Sequence, residues 1–306
     1  MKTILITGCA GFIGSSFLKS IIKKNVKIIG IDDLSAGCLK SLPRNKKFKF
    51  LKGDCGNKKI LDKIKGKIDI IIHLAGQSSG EKSFYDPLND MKRNLYSTIA
   101  LLDFGLKKKS KQFIFSSSMS VYGDLRRKVN ENDYTKPISF YGLSKLSSEK
   151  YIKMFSYKKI NYTILRFFNV YGEGQILNNL KQGMIRIYLT QIFQNNNLFV
   201  KGSLNRFRDF IHIEDVNKIL FKIIGNRNCI NKTFNVGYGK KYLVKDVLKL
   251  IKKKIKKNFS IKKVNGTPFD QFGIFSNSEK LFKATNFKAK ISLEKGIEKY
   301  IGSIKK

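Results

Sequence analysis

Tyr141 and Lys145 stand four residues apart in the stretch FYGLSKLSSEKY, residues 140–151. In a helix, a spacing of four puts the phenol and the ammonium on one face, within reach of each other. A free phenol ionises only near pH ~10, so it is a poor base at neutral pH. A neighbouring positive charge favours the phenolate and brings it toward the working range. The pair is a candidate acid–base device. So short a pattern recurs in many unrelated chains, and its meaning depends on what surrounds it.

A second candidate lies near the amino terminus, where ITGCAGFIGS supplies Gly8, Gly11 and Gly14. Glycines so spaced between a strand and a helix allow a tight turn, a close approach of backbone to a pyrophosphate, and close helix–strand packing. The phosphates would meet the open amides of the helix amino terminus. Asp32 ends the next apolar run, where a carboxylate can accept hydrogen bonds from an adenosine ribose and repel a 2′-phosphate, favouring NAD over NADP. Asp54, after the third run, either meets the adenine edge or forms a turn.

Short apolar runs alternate with amphipathic segments through the first half, the pattern of a parallel sheet covered by helices. KTILIT, VKIIGID, KFKFLKGD, KIDIIIHLAG, KQFIFSSS and NYTILRFFNVYG read as strands, FIGSSFLKSIIKK as the first helix, and residues 88–108 as a long helix. Beyond Gly172 the rhythm loosens, with helices in NLKQGMIRIYLTQIF and VKDVLKLIKKKI and a strand in NLFVKG. The expected architecture is α/β, a Rossmann-type doubly wound parallel sheet over residues 1–172. A smaller substrate-binding lobe over residues 173–306 is expected to interleave with it.

Composition narrows the function. The chain has 306 residues and is 42% hydrophobic, enough for a sizeable core. No secretory leader and no apolar run of membrane-spanning length are visible, so a cytoplasmic location is expected. Cys9, Cys38, Cys55 and Cys229 lack paired spacing, and His73 and His212 are the only histidines, so no metal site is expected. The net charge of +39 alone would suggest nucleic acid. Its lysines are scattered from end to end, which argues for a composition bias and against specific nucleic-acid binding.

TGCAGFIG, HLAG, FSSSMSVYG, YGLSK, RFFNVYG and RFRDFIHIEDV occur in order along nearly the whole chain. Together they resemble the extended short-chain dehydrogenase/reductase family, specifically its NAD-dependent nucleotide-sugar epimerases and dehydratases. The resemblance implies a catalytic trio of Ser118, Tyr141 and Lys145, with Ser118 holding the sugar oxygen and Lys145 the nicotinamide ribose. It implies NAD contacts from Gly8, Gly11, Phe12, Ile13, Gly14, Asp32, Asp54, Cys55, Leu74, Ala75 and Gly76, besides Tyr141 and Lys145.

The same resemblance places a nucleotide-sugar diphosphate against Asn169 and Arg208, with Asp270 retained in the family's R-x-G-D segment and Thr267 standing where that segment has arginine. Arg208 could instead pair with Asp209 or Glu214. Related 4,6-dehydratases carry Thr-Asp-Glu before VYG, where this chain has Ser118, Met119 and Ser120, so epimerisation is expected over dehydration. His73 reads as a core residue and Asn94 as a supporting one, while Gln77, Ser78 and Ser79 are expected near the nicotinamide or sugar. A homodimer through residues 88–108 and 139–157 is the family expectation.

Overall fold

The structure, a computed structural model, describes residues 1–175, 183–195, 197–255, 258–267 and 270–304. Its centre is a seven-stranded parallel sheet. In spatial order the strands are Lys232–Val236, Tyr162–Phe167, Gln112–Ser118, Ile70–His73, Lys2–Thr7, Val26–Asp32 and Phe48–Lys52. The sequence order reverses between Lys2–Thr7 and Ile70–His73, which opens a crevice at the carboxyl ends of those strands. Ile4, Ile6, Ile72, Ile114 and Leu165 bury toward one helical layer, and Leu5, Ile71, Phe113, Phe115 and Ile164 toward the other. This double burial is why the strands are almost uniformly apolar.

The predicted helix at residues 88–108 spans Pro87–Met91, a π-helical turn at Lys92–Tyr96, and Ser97–Lys107. Pro87 occupies its first turn and the Asp86 carboxylate accepts the Asn89 amide, a sequence-encoded start. The run NYTILRFFNVYG is not one strand. It divides at Phe168, and Asn169–Tyr171 leaves the main sheet to pair in parallel with Phe210–His212. The Phe168 amide donates to the Val236 carbonyl, and beyond Val236 the edge strand offers no further rung.

From the second half of the chain, the strand Lys232–Val236 completes the sheet and the helix Ile213–Ile223 packs on the helix Phe12–Ile21. A separate apolar core joins the helices Met184–Asn195, Val244–Ile255 and Leu293–Ile304. Part of the predicted helix NLKQGMIRIYLTQIF lies outside the described residues; the described part begins at Met184.

Candidate active site

The glycine turn follows the first strand directly. Gly8 has φ +68°, and a Cβ there would lie 2.6 Å from the Ala75 amide nitrogen. Gly11 caps the helix Phe12–Ile21 without any side-chain hydrogen bond, which leaves the first-turn amides facing the crevice. A cavity of about 670 Å³ opens there, lined by Gly8, Gly11, Phe12, Ile13, Gly14, Leu74 and Gly76. A smaller adjoining one is lined by Asp32, Asp54, Cys55 and Ala75. All the expected cofactor residues therefore border one or the other of these two cavities, which share Gly8, Gly11, Leu74 and Gly76 in their walls.

Their roles differ in detail. The Asp32 carboxylate accepts the Ala10 amide at 2.9 Å and the Leu34 amide at 2.8 Å, so it braces the glycine turn as well as facing the smaller cavity. Asp54 Oδ1 accepts the Gly56 amide at 2.8 Å, the turn-forming alternative. Burial pushes the Cys55 thiol up to about 12 and raises Cys9 further, so both stay protonated packing groups. Sequence reasoning missed Asp33 and Arg93, which also line the smaller cavity. They pair at 2.9 Å. Burial pushes Asp33 up, but hydrogen bonds from Ser35 and the Arg93 guanidinium outweigh it and hold the carboxyl below its ordinary value.

The three residues expected to be catalytic come from two elements. Ser118 ends the strand Gln112–Ser118, while Tyr141 and Lys145 lie on the helix Phe140–Ser156, which Ser139 caps by accepting the Gly142 amide. The stripe Tyr141, Ser144, Lys145, Ser148, Glu149 and Ile152 is buried, the spacing of a helix laid against a sheet. Gly142 allows close contact, since a Cβ would lie 2.6 Å from the Ser120 carbonyl oxygen. That approach sets the Tyr141 phenol against the Ser118 hydroxyl, and all three residues line the larger cavity.

The electrostatics depart from the sequence expectation. Burial pushes the Tyr141 phenol up to about 12, with the Ser118 hydrogen bond opposing it. Lys145 Nζ is 6.0 Å from the Tyr141 ring centre, donates to the Ser116 carbonyl at 2.9 Å, and sits 4.8 Å over the Phe115 ring. Its own burial pulls it down to about 8. In this arrangement desolvation outweighs the Ser118 hydrogen bond, and the Asp90 carboxylate raises the phenol further.

The NAD dependent epimerase/dehydratase family model matches residues 4–237. The chain belongs to that family. A Methanocaldococcus jannaschii protein provisionally assigned as a UDP-glucose 4-epimerase is 32% identical over 308 residues, covering 99% of this chain and 98% of its own. Among solved structures, a Thermotoga maritima UDP-glucose 4-epimerase with UDP-glucose superimposes at TM-score 0.92 and 27% identity, covering 99% and 98% of the two chains. A Bacillus cereus UDP-glucuronic acid 4-epimerase variant, in complex with a fluorinated UDP-glucuronic acid and NAD, matches at TM-score 0.92 and 26% identity, with 99% of each chain covered.

Met119, Ser120, Gln77, Ser78 and Asn169 also line the larger cavity. Asn169 Nδ2 donates to the Asp209 carbonyl at 3.0 Å. Arg208 and Asp270 are not among the residues lining either cavity. Arg208 pairs with Asp270 at 2.8 Å, not with Asp209 or Glu214, and Arg206 binds the same carboxylate. Burial, followed by the like charge of Arg206, pulls Arg208 down to about 10. Asp209 is instead wrapped by the Tyr238, Gly239 and Ser276 amides and the Ser276 hydroxyl.

Arg186, which sequence reasoning passed over, lines the larger cavity from the helix Met184–Asn195. A buried arginine in the apolar run MIRIYLTQIF was the available signal. Ser79 caps the helix Gly80–Tyr85 by accepting the Lys82 amide.

His73 is fully buried between Thr7 and Thr98 hydroxyls, at 2.7 and 3.1 Å. Thr98 already donates to the Asn94 carbonyl, so it accepts from His73 Nε2 and the ring is neutral. Burial pulls it down to about 3, consistent with a core residue. Among the described residues one cluster has metal-ligand spacing, Glu173, His212 and Glu214. His212 Nδ1 accepts the Glu214 amide, which leaves the ring proton on Nε2, facing Glu173 at 3.0 Å, while Lys299 pairs with Glu214. Nε2 is nevertheless buried without a hydrogen bond of good geometry, and a proton on it opposes a metal at that nitrogen.

Proposed function

We propose that this chain interconverts the C4 epimers of a nucleotide-diphosphate sugar, UDP-glucose and UDP-galactose in the first instance, with NAD as resident cofactor. The observation that supports it is the meeting of Ser118, Tyr141 and Lys145 in the cavity that the glycine turn also lines. Gly8, Gly11 and Gly14 line that cavity without side chains, which fits a pyrophosphate drawn against bare backbone. NAD held at the glycine turn and by Lys145 would supply a reversible hydride acceptor for C4.

The protein's own groups move the proton and hold the sugar. Tyr141 Oη takes the C4 hydroxyl proton as that carbon is oxidised and returns it afterward. Ser118 Oγ, which donates to Ser120 Oγ at 3.1 Å, turns to the same sugar oxygen and orients it. Lys145, together with the positive nicotinamide of bound NAD, would favour the phenolate against the desolvation that raises it. Asn169 and Arg208 remain the proposed diphosphate ligands; Arg208 must share its guanidinium between Asp270 and phosphate. Inversion requires the ketose to present its other face before hydride returns. Anchoring by the nucleotide leaves the sugar free to turn.

Residues 1–172 carry the cofactor and residues 173–306 chiefly the nucleotide sugar in this reading. A second reading is a reductase or dehydratase on the same scaffold; dehydration lacks its acid–base pair, because Met119 and Ser120 stand in the cavity at those positions. We place the enzyme in the cytoplasm; no described helix is long and apolar enough to cross a membrane. Homodimerisation is proposed through Leu88, Met91, Tyr96, Leu143, Tyr151, Met154 and Tyr157, apolar side chains exposed on the two expected segments.

NMR of the anomeric protons of UDP-galactose, with catalytic NAD, tests the substrate. Growth of UDP-glucose to a fixed ratio supports the reading. An unchanged spectrum from NAD-loaded protein overturns the UDP-hexose assignment, and net NADH or a released ketosugar favours the second reading.

A further inference from the structure

Asp90 belongs to none of the motifs, yet it is completely buried beside the acid–base pair. Its Oδ1 accepts Gln77 Nε2 at 2.8 Å and Asn94 Nδ2 at 3.0 Å. Its Oδ2 is buried without a hydrogen bond of good geometry, although the Ser144 hydroxyl lies beside it. Gln77 itself lines the cavity, so one amide separates this carboxylate from the space where substrate and cofactor would sit.

The neighbouring buried acids are accounted for. Glu149 holds Arg166 with two hydrogen bonds, Asp32 and Asp215 each accept two backbone amides, and Asp209 is wrapped by three. Asp90 accepts only from neutral donors. Lys145 is its mirror image, since its ammonium donates to the Ser116 carbonyl and touches no carboxylate at ion-pair distance among the described residues. A buried charge is expensive unless an opposite charge compensates it. Gly76 closes the distance between the two systems. A Cβ placed on it would lie 2.5 Å from Asn94 Oδ1 and 3.4 Å from Lys145 Nζ, so the side chain that binds Asp90 and the ammonium border the same gap.

We propose that Asp90 is a positioning residue of this site, the buried counter-charge that keeps the Lys145 ammonium in place for Tyr141 and is joined to the cavity through Gln77. This rests on the assignment of Tyr141 and Lys145 as the acid–base pair. The other titratable groups around them contribute no free charge: Glu149 is paired with Arg166, His73 is neutral, and the Cys55 thiol stays protonated. Asp90 stands near both members, raising Lys145 and raising Tyr141. Removing its charge lowers the pH at which both lose their protons, whichever way the coupled pair divides them.

The test is Asp90→Asn in the NAD-loaded enzyme, with two readouts. The first is the pH profile of kcat/KM for UDP-galactose, in which the rising limb and the falling limb both move to lower pH, by about one to three pH units. The second needs no sugar: phenolate absorbance against pH, with the Tyr141→Phe version of each protein subtracted, whose midpoint moves down in Asp90→Asn. Loss of amplitude with both limbs in place makes Asp90 a packing residue and overturns the proposal. An upward move does so too, because removing a negative charge cannot raise the pH at which either neighbour ionises. If Asp90→Asn does not fold, the smaller neutral Asp90→Ser must show the same displacement. Should UDP-galactose not turn over in the parent enzyme, the substrate assignment falls, and the phenolate titration still decides the role of Asp90.

Discussion

Replacing Lys145 by methionine should inactivate the enzyme and stabilise the protein. The side chain is 3% exposed, and burial pulls its ionisation from the ordinary 10.5 to about 8. At about 1.4 kcal/mol per pH unit, that interval corresponds to about 3 kcal/mol of folding free energy spent on holding a buried ammonium at neutral pH. Methionine removes the burden and fills similar volume. It also gives up the hydrogen bond to the Ser116 carbonyl, about 1 kcal/mol, leaving a net gain of about 2 kcal/mol and a Tm rise of about 4 °C.

The sign has a pH signature. Between about 8 and 10.5 the unfolded chain still binds the Lys145 proton and the folded one does not, so the parent gains stability as pH rises through that window. The advantage of Lys145→Met is therefore complete below about pH 8 and gone by about pH 10.5. Urea unfolding of both proteins at a series of pH values, without added nucleotide, reads the difference directly. A variant no more stable than the parent at pH 7, or a difference that stays constant across the window, would refute the claim that Lys145 is held charged at an energetic cost.

Tyr141→Phe should lower turnover by about 10²- to 10⁴-fold while NAD binding persists, measured by NMR turnover and calorimetric titration; full activity would remove Tyr141 from the mechanism. Gly8→Ala forces a Cβ against the Ala75 amide at positive φ, so it should reduce stability by about 1–3 kcal/mol and weaken NAD binding; an unchanged melt and affinity would contradict the turn geometry. Arg166→Met strands Glu149, whose side chain is 1% exposed, and should cost about 3–5 kcal/mol in urea unfolding. A double substitution Leu143→Glu and Met154→Glu should halve the mass seen by light scattering if the exposed apolar helix faces join two copies; a parent that is already monomeric defeats the dimer outright.

What the sequence determined by itself was local and periodic. The uniformly apolar strands encoded a sheet buried on both faces, the three glycines encoded the turn, and Ser139 ahead of a helix with a buried stripe put Tyr141 and Lys145 on one face. These features need only neighbours in the chain, so spacing reveals them. The tertiary structure decided whatever depends on distant segments meeting in a low-dielectric interior. It broke the run NYTILRFFNVYG at Phe168 because the partner strand ends at Val236. It turned Arg208 toward Asp270, 62 residues away, and brought Arg186 to the cavity wall. It also set the burial that pushes the Tyr141 phenol up, since desolvation is a property of the surrounding volume and has no signature in residue spacing. Asp90 illustrates the same limit: nothing in SFYDPLNDMKRN distinguishes it from a surface acid until three elements close around it.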